Sequence, residues 1–310
     1  MIERRQNQYS IRSRQKGKTG LPGLVFFAFL LLAAGAIFYI SQVLTLGAAY
    51  KAKLLCTNTY YAKRDPDLVL KEDLSGLERY IGTTIVFSGK SVAAHFPGIT
   101  DQRAIYLENI GCVALAGMDE NELRKAAQDW IAPGRSQTDP VSNDLVWKPA
   151  QSTAAFDSQK LTDAIHREFS EPDRDHLRRT RAVLIAYEGR LISERYAPGI
   201  SSDTPLQGWS ATKSVINALS GILVKQGRRP LKRGNLVPEW SDRKDPRSEI
   251  TLDQMLRMSS GLEFDETAGA LVTDLTQMLL GEQDASAFAL AKPLQHAPNS
   301  HWYYSSGTSN

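Results

Sequence analysis

The sequence predicts an α+β protein preceded by one transmembrane helix, and three observations carry the prediction. No charged residue stands between Lys18 and Lys51, and Leu24 to Leu46 is almost wholly apolar. That exceeds the roughly 20 residues a helix needs to cross a bilayer. From Asp157 onward, segments with apolar residues at helical spacing flank a β-rich hairpin, Ala182 to Tyr196. At 310 residues, 42% apolar and 23% charged, the chain is globular and holds one large or two ordinary domains.

The net charge of +3 resides mostly in the first eighteen residues, where Arg4, Arg5, Arg12, Arg14, Lys16 and Lys18 face only Glu3. Beyond them the chain is nearly neutral, so no basic stripe argues for nucleic acid. Residues 1–20 are expected to be a disordered basic tail and 21–48 a transmembrane signal anchor. The positive-inside bias keeps the tail in the cytoplasm and puts the rest outside, on the periplasmic face of an inner membrane. A cleaved signal peptide is the rival, with Gly47-Ala48-Ala49 at a possible cut site. Its apolar core, however, is normally only about 7 to 15 residues. Gly17-Lys18-Thr19-Gly20 is no phosphate loop, because Arg12 stands where that motif needs its first glycine.

Residues 49–150 are expected to be an extracytoplasmic lead-in region. Asp65-Pro66-Asp67 and Lys71-Glu72-Asp73 read as turn and helix start, Thr83 to Phe87 as a strand, and Glu120 to Trp130 as an amphipathic helix. Ala132-Pro133-Gly134 to Asp139-Pro140 is linker chemistry. Cys56 and Cys112 are the only cysteines, and a disulfide between them is the expectation in an oxidising compartment. Closing that loop contributes on the order of 4 kcal/mol in the chain-entropy model. Two separate buried thiols are the alternative. Neither cysteine has a metal-ligand spacing to His or Cys, so no metal is expected.

Residues 151–310 are the most regular part. Asp157 caps a helix whose Leu161, Ile165 and Phe169 share a face, and Glu188-Gly189-Arg190 is a tight turn between the strands Ala182 to Tyr187 and Leu191 to Tyr196. Val215 to Val224 forms a helix apolar nearly all round and therefore expected to be buried. Thr251 caps a short helix that ends at Gly261, and Leu271 to Leu280 and Ser286 to Ala291 are two more helices.

The chemistry centres on Gly208-Trp209-Ser210-Ala211-Thr212-Lys213, where Ser210 is expected on the first turn of the apolar helix. A serine and a lysine three apart share a helix face, so the amine can reach the hydroxyl proton. The helix N-terminus also favours negative charge developing there. The same spacing at Ser13 to Lys16 and Ser241 to Lys244 falls in polar stretches without such a helix. On spacing and context alone, a capping serine beside a surface lysine is the more ordinary reading of Ser210.

The ordered set Ser210-Ala-Thr-Lys213, Val237-Pro-Glu-Trp240, Ile250 to Leu262 (containing Met258-Ser-Ser-Gly261) and Pro298 to Tyr304-Ser305-Ser306 resembles the serine β-lactamase and penicillin-binding-protein superfamily. The likeness is to its class C-like serine hydrolases, which include esterases and 6-aminohexanoate-dimer hydrolases. It covers about residues 156 to 310 and implies an antiparallel sheet flanked by helices. It further implies that Ser210 becomes acylated, that Lys213 and Tyr304 move its proton, and that Ser210 and Ser306 hold the substrate or oxyanion. No cofactor is implied, and the partner is a small ester or linear amide. A cationic neighbour makes a phenol a usable base near neutral pH.

Ser306 stands where many of these relatives carry Asn, which favours esterase or amidase activity over strict β-lactamase activity. The family's third motif belongs on a later strand well past Tyr304, so the sequence is expected to be a C-terminally incomplete piece of a longer hydrolase. A cell-wall peptidase and a non-catalytic peptide or cell-wall binding relative are the alternatives, as is an interaction protein acting through its first 150 residues. A histidine base is disfavoured: Ser210 lacks the flanking glycines of a nucleophile elbow, and His166, His176, His296 and His301 sit in no base-bearing motif.

Overall fold

The computed structural model describes residues 21–130, 157–173, 176–242, 244–267 and 269–309. The basic tail with Gly17 to Gly20, Ser13 and Lys16, and the linker around 132–140 lie outside the described residues. Helices and antiparallel sheet together make the chain α+β, and the described residues divide into two units after Gln42.

Helix α1 (Leu21–Cys56, 36 residues) has no Asp, Glu, Lys or Arg before Lys51. It is long and apolar enough to cross a membrane, and its large apolar side chains from Leu24 to Ile40 are exposed. The helix continues past residue 48 to Cys56 and ends in one π turn, Thr57–Tyr61.

In the second unit, Ala48, Ala52, Leu55 and Cys56 of α1 belong to a core with Val69, Leu74, Ile81, Val92, Ala94 and Ala104. Helix α2 (Pro66–Glu72) starts where Asp65 accepts N–H bonds from Asp67 and Leu68 at 2.8 and 3.2 Å, with proline in the first turn. Lys71 and Glu72 therefore close this helix rather than open one. Strands β1 (Gly82–Val86), β2 (Ser91–Phe96), β3 (Thr100–Leu107) and β4 (Gly111–Ala114) form an antiparallel meander in that order. Only the first was expected. Cys112 of β4 is disulfide-bonded to Cys56, tying the sheet to the end of α1. Helix α3 (Glu120–Trp130) lays Leu123 and Ala127 on Ile105, Leu107 and Leu115.

After the linker, α4 (Ser158–Glu168) opens where Asp157 accepts the Lys160 N–H at 3.0 Å. Strands β5 (Ala182–Tyr187) and β6 (Arg190–Tyr196) make a two-stranded hairpin with a register shift at Ile185 and Ala186. Arg181, just before β5, pairs with Glu72 at 2.7 Å and Asp73 at 2.9 Å, and Arg64 takes Asp73 at 2.8 Å. Helix α5 (Thr212–Lys225) contradicts the expectation of burial: Val215, Leu219 and Ile222 are about half exposed. Its apolar sequence gives it the capacity to be buried, but among the described residues no second layer covers that face.

Trp240, fully buried with Ile250 and Leu262, donates its indole N–H to the Leu290 carbonyl at 3.0 Å. Helix α6 (Leu252–Leu256) is opened by a capping box in which Thr251 and Gln254 exchange side-chain and backbone bonds. Helices α7 (Asp274–Leu280) and α8 (Ala285–Leu290) surround a small core of Phe264, Met278 and Ala289.

Candidate active site

Ser210 stands on a single 3-10 turn, Trp209–Ala211, immediately before α5, one turn earlier than the expected α-helical position. Trp209 reaches that turn with φ +43, a left-handed backbone that a bulky residue adopts only when its surroundings hold it. Tyr50 of α1 supplies one contact, with ring centroids 6.4 Å apart. Lys213, on the first turn of α5, donates from Nζ to Ser210 Oγ at 3.2 Å and to Ser306 Oγ at 3.0 Å. One ammonium thus touches two hydroxyls, the second of them on a residue 93 positions further along the chain from Lys213.

The loop that delivers Ser306 is tied down by the Met258–Leu262 turn. Tyr303 N–H donates to the Met258 carbonyl at 2.9 Å, Asn299 N–H to Ser259 at 2.8 Å, and Gln295 N–H to Gly261 at 2.9 Å. Gly261 has φ +81, and a side chain there would run into the His296 carbonyl, so glycine is required. Ser260 Oγ lies 3.1 Å from Thr308 Oγ1, which fastens the far end of the loop.

Tyr304 sits beside the pair, with Lys213 Nζ 4.9 Å from its ring centroid. Its phenol is held below the ordinary tyrosine range, first by the hydrogen bond with Ser210 and then by the bond to and charge of Lys213. Partial burial and Glu266 push the other way. The net effect favours phenolate, the form able to take a proton.

Sequence reading missed Glu266. Its carboxylate accepts Ser306 Oγ–H at 2.6 Å and Ser306 N–H at 2.8 Å, so Ser306 spends both donors on it and turns a lone pair to Lys213. Nothing local in Glu263-Phe-Asp-Glu266 marks one acid over another. Only the return of the 40-residues-distant Ser306 selects it.

Ser210, Lys213, Glu266 and Ser306 line one cavity of about 490 Å³, walled by Leu54, Ile216, Leu275, Met278 and Leu279. That volume lies in the roughly 300–1,000 Å³ range of small-molecule sites. His296 and His301 stack at 4.5 Å and line a separate cavity of about 160 Å³. No histidine lines the Ser210 cavity among the described residues. Nor do the described residues contain a group of three or more His, Cys, Asp or Glu placed to hold a metal ion.

The family model described as Beta-lactamase matches residues 165–310, just under half of the chain. This part of the chain is a β-lactamase-family domain. A solved structure provisionally described as a 6-aminohexanoate-dimer hydrolase from Bacillus anthracis is similar at 19% identity and TM-score 0.38, over 48% of this chain and 40% of that one. No curated protein matches the chain. Ser210, Lys213, Trp240, the 250–262 segment and Tyr304 all fall inside the matched residues. The wall carrying Tyr50, Lys53, Leu54 and Thr57 does not; it comes from α1 and the π turn that follows.

Proposed function

We propose that the protein is a membrane-anchored serine hydrolase that cleaves a small ester or linear amide through a Ser210 acyl-enzyme. The observation that carries this reading is Lys213 Nζ at 3.2 Å from Ser210 Oγ, with the acid-shifted phenol of Tyr304 on the same hydroxyl. The Tyr304 phenolate removes the Ser210 proton as Oγ attacks the substrate carbonyl carbon. The tetrahedral intermediate collapses, and the departing alkoxide or amine takes that proton from Tyr304. Water then gives a proton to Tyr304 while its oxygen attacks the acyl carbon, and Ser210 leaves with the proton restored. Lys213 stays protonated throughout and favours the phenolate electrostatically.

The Ser210 N–H, in the turn that opens α5, would donate to the developing oxyanion. Ser306, whose donors go to Glu266, holds Lys213 in place instead of acting on the oxyanion. Anchoring through residues 21–48 with the domain outside is supported by the uncharged α1 behind a basic tail and by a disulfide suited to an oxidising compartment.

The test is labelling with a fluorescent fluorophosphonate, comparing the protein with Ser210→Ala. Labelling that is lost in Ser210→Ala is the expected result. No labelling of a folded protein would sink the hydrolase reading and favour a binding relative.

A further inference from the structure

Helix α1 presents two stripes to the second unit. Ala48, Ala52 and Leu55 face the sheet core, and Tyr50, Lys53, Leu54 and Thr57 line the Ser210 cavity at the i, i+3, i+4 and i+7 spacing of one helical face, with Leu54 and Tyr50 reaching the core as well. Lys53 is the odd member of that stripe. Its neighbour Lys51, which is buried, donates Nζ to the Ile81 carbonyl. Lys53 is half-buried in an apolar wall, and no side-chain acceptor or carboxylate partners it among the described residues. The other charged groups of the cavity are already engaged: Lys213 on two hydroxyls, Glu266 on Ser306. Burial pulls the Lys53 ammonium below the ordinary lysine range. A partly desolvated cation without a counter-charge gains most from an anion that arrives with the ligand.

The geometry points to Lys53 as the specificity-determining residue of the cavity, selecting esters or amides that carry an anionic group at the end of an apolar segment. This rests on the reading of Ser210 as the nucleophile. The segment lies along Leu54, Ile216, Leu275 and Met278, and the anion meets the ammonium that α1 supplies. The selecting residue therefore lies outside the matched β-lactamase-family segment, on the helix that carries the apolar span.

The full chain in detergent, with Lys53→Met and Lys53→Glu, is assayed on p-nitrophenyl monoesters of a six- to eight-carbon dicarboxylic acid. Neutral p-nitrophenyl esters of fatty acids of equal length serve as the comparison, and a monoester ending in phosphate separates carboxylate from phosphate recognition. A charge-assisted contact predicts that kcat/KM favours an anionic ester by roughly tenfold to a hundredfold. In Lys53→Met the ratio of anionic to neutral kcat/KM falls to about one, and Lys53→Glu reverses it. Equal turnover of charged and neutral esters by the unaltered protein would overturn the inference, as would equal losses on both in Lys53→Met. Binding of the free dicarboxylate monoamide to Ser210→Ala, with and without Lys53→Met, is the second readout. Lys53-dependent binding without turnover would retain the anion site and reject the hydrolase reading. Binding indifferent to Lys53, or none, would reject the anion site even where fluorophosphonate labels Ser210.

Discussion

The two halves of the second unit are held together differently. In residues 43–130 the end of α1, α2 and the four-stranded meander enclose a large core that includes Leu55, Cys56, Val69, Val92 and Ala104, all fully buried and crossed by a disulfide, with a smaller cluster under α3. In residues 157–309 the buried apolar groups fall into two small clusters, and α5 has no buried residue. Order near Ser210 comes from hydrogen bonds: the Met258–Gly261 turn on the 295–303 loop, Glu266 on Ser306, Ser306 on Lys213. One half is a rigid support made by the hydrophobic effect and the other a polar network hung on few anchors. Hydrogen bonds are directional, so they fix where a proton donor points; burial is not, and sets only how firmly the parts cohere.

Breaking the disulfide tests the first half most severely. Cys56→Ser with Cys112→Ser is expected to lower stability by about 4 kcal/mol, read as a shift in the denaturation midpoint. A change under about 1 kcal/mol would mean the core alone holds β4 to α1. Next, Leu55→Ala is expected to cost about 3 kcal/mol, because a fully buried side chain leaves a cavity, while Leu219→Ala on half-exposed α5 should cost under about 0.5 kcal/mol. Equal costs in urea denaturation would erase the contrast and show that the α5 face is covered.

Glu266→Gln sharpens the description of the second half. It keeps the shape but offers one acceptor oxygen in place of two, so Ser306 and Lys213 lose their fixed positions. Fluorophosphonate labelling is expected to slow about tenfold, equivalent to about 1.4 kcal/mol, with the melting midpoint nearly unchanged. An unchanged rate would remove Glu266 from the network. The smallest effect is on pH dependence. The phenolate is the active base and exists above its pKa, so kcat/KM should rise with pH through an inflection below the ordinary tyrosine value of about 10 and fall off as pH drops through it. Lys213→Met should move that inflection upward; an inflection that stays put would separate Lys213 from Tyr304.

Much of the second half was legible because its signals are local. Asp157, Thr251 and the Glu188-Gly189 turn announce caps and a hairpin within a few residues. The meander was not read beyond β1. Strand β2, Ser91-Val-Ala-Ala-His-Phe, lacks a clean alternation because none of its residues is fully exposed, and β3 carries Asp101, Gln102 and Arg103 before its buried end. The turns between them did leave a trace: Pro97-Gly98, with Gly98 at φ +73, and Asn109-Ile-Gly111, with both outer residues left-handed.

By itself, then, the sequence determined what spacing and composition encode: an apolar helix behind basic residues, a serine and lysine one turn apart, a cysteine pair, and the caps that start α4 and α6. Tertiary structure decided what needs distant parts of the chain to meet. It chose Glu266 among neighbouring acids, turned Ser306 toward Lys213, left α5 uncovered, and set Lys53 of the first helix in the wall of the Ser210 cavity. Hydrogen bonding across 40 or 93 residues depends on where the backbone returns, and no local pattern specifies that return.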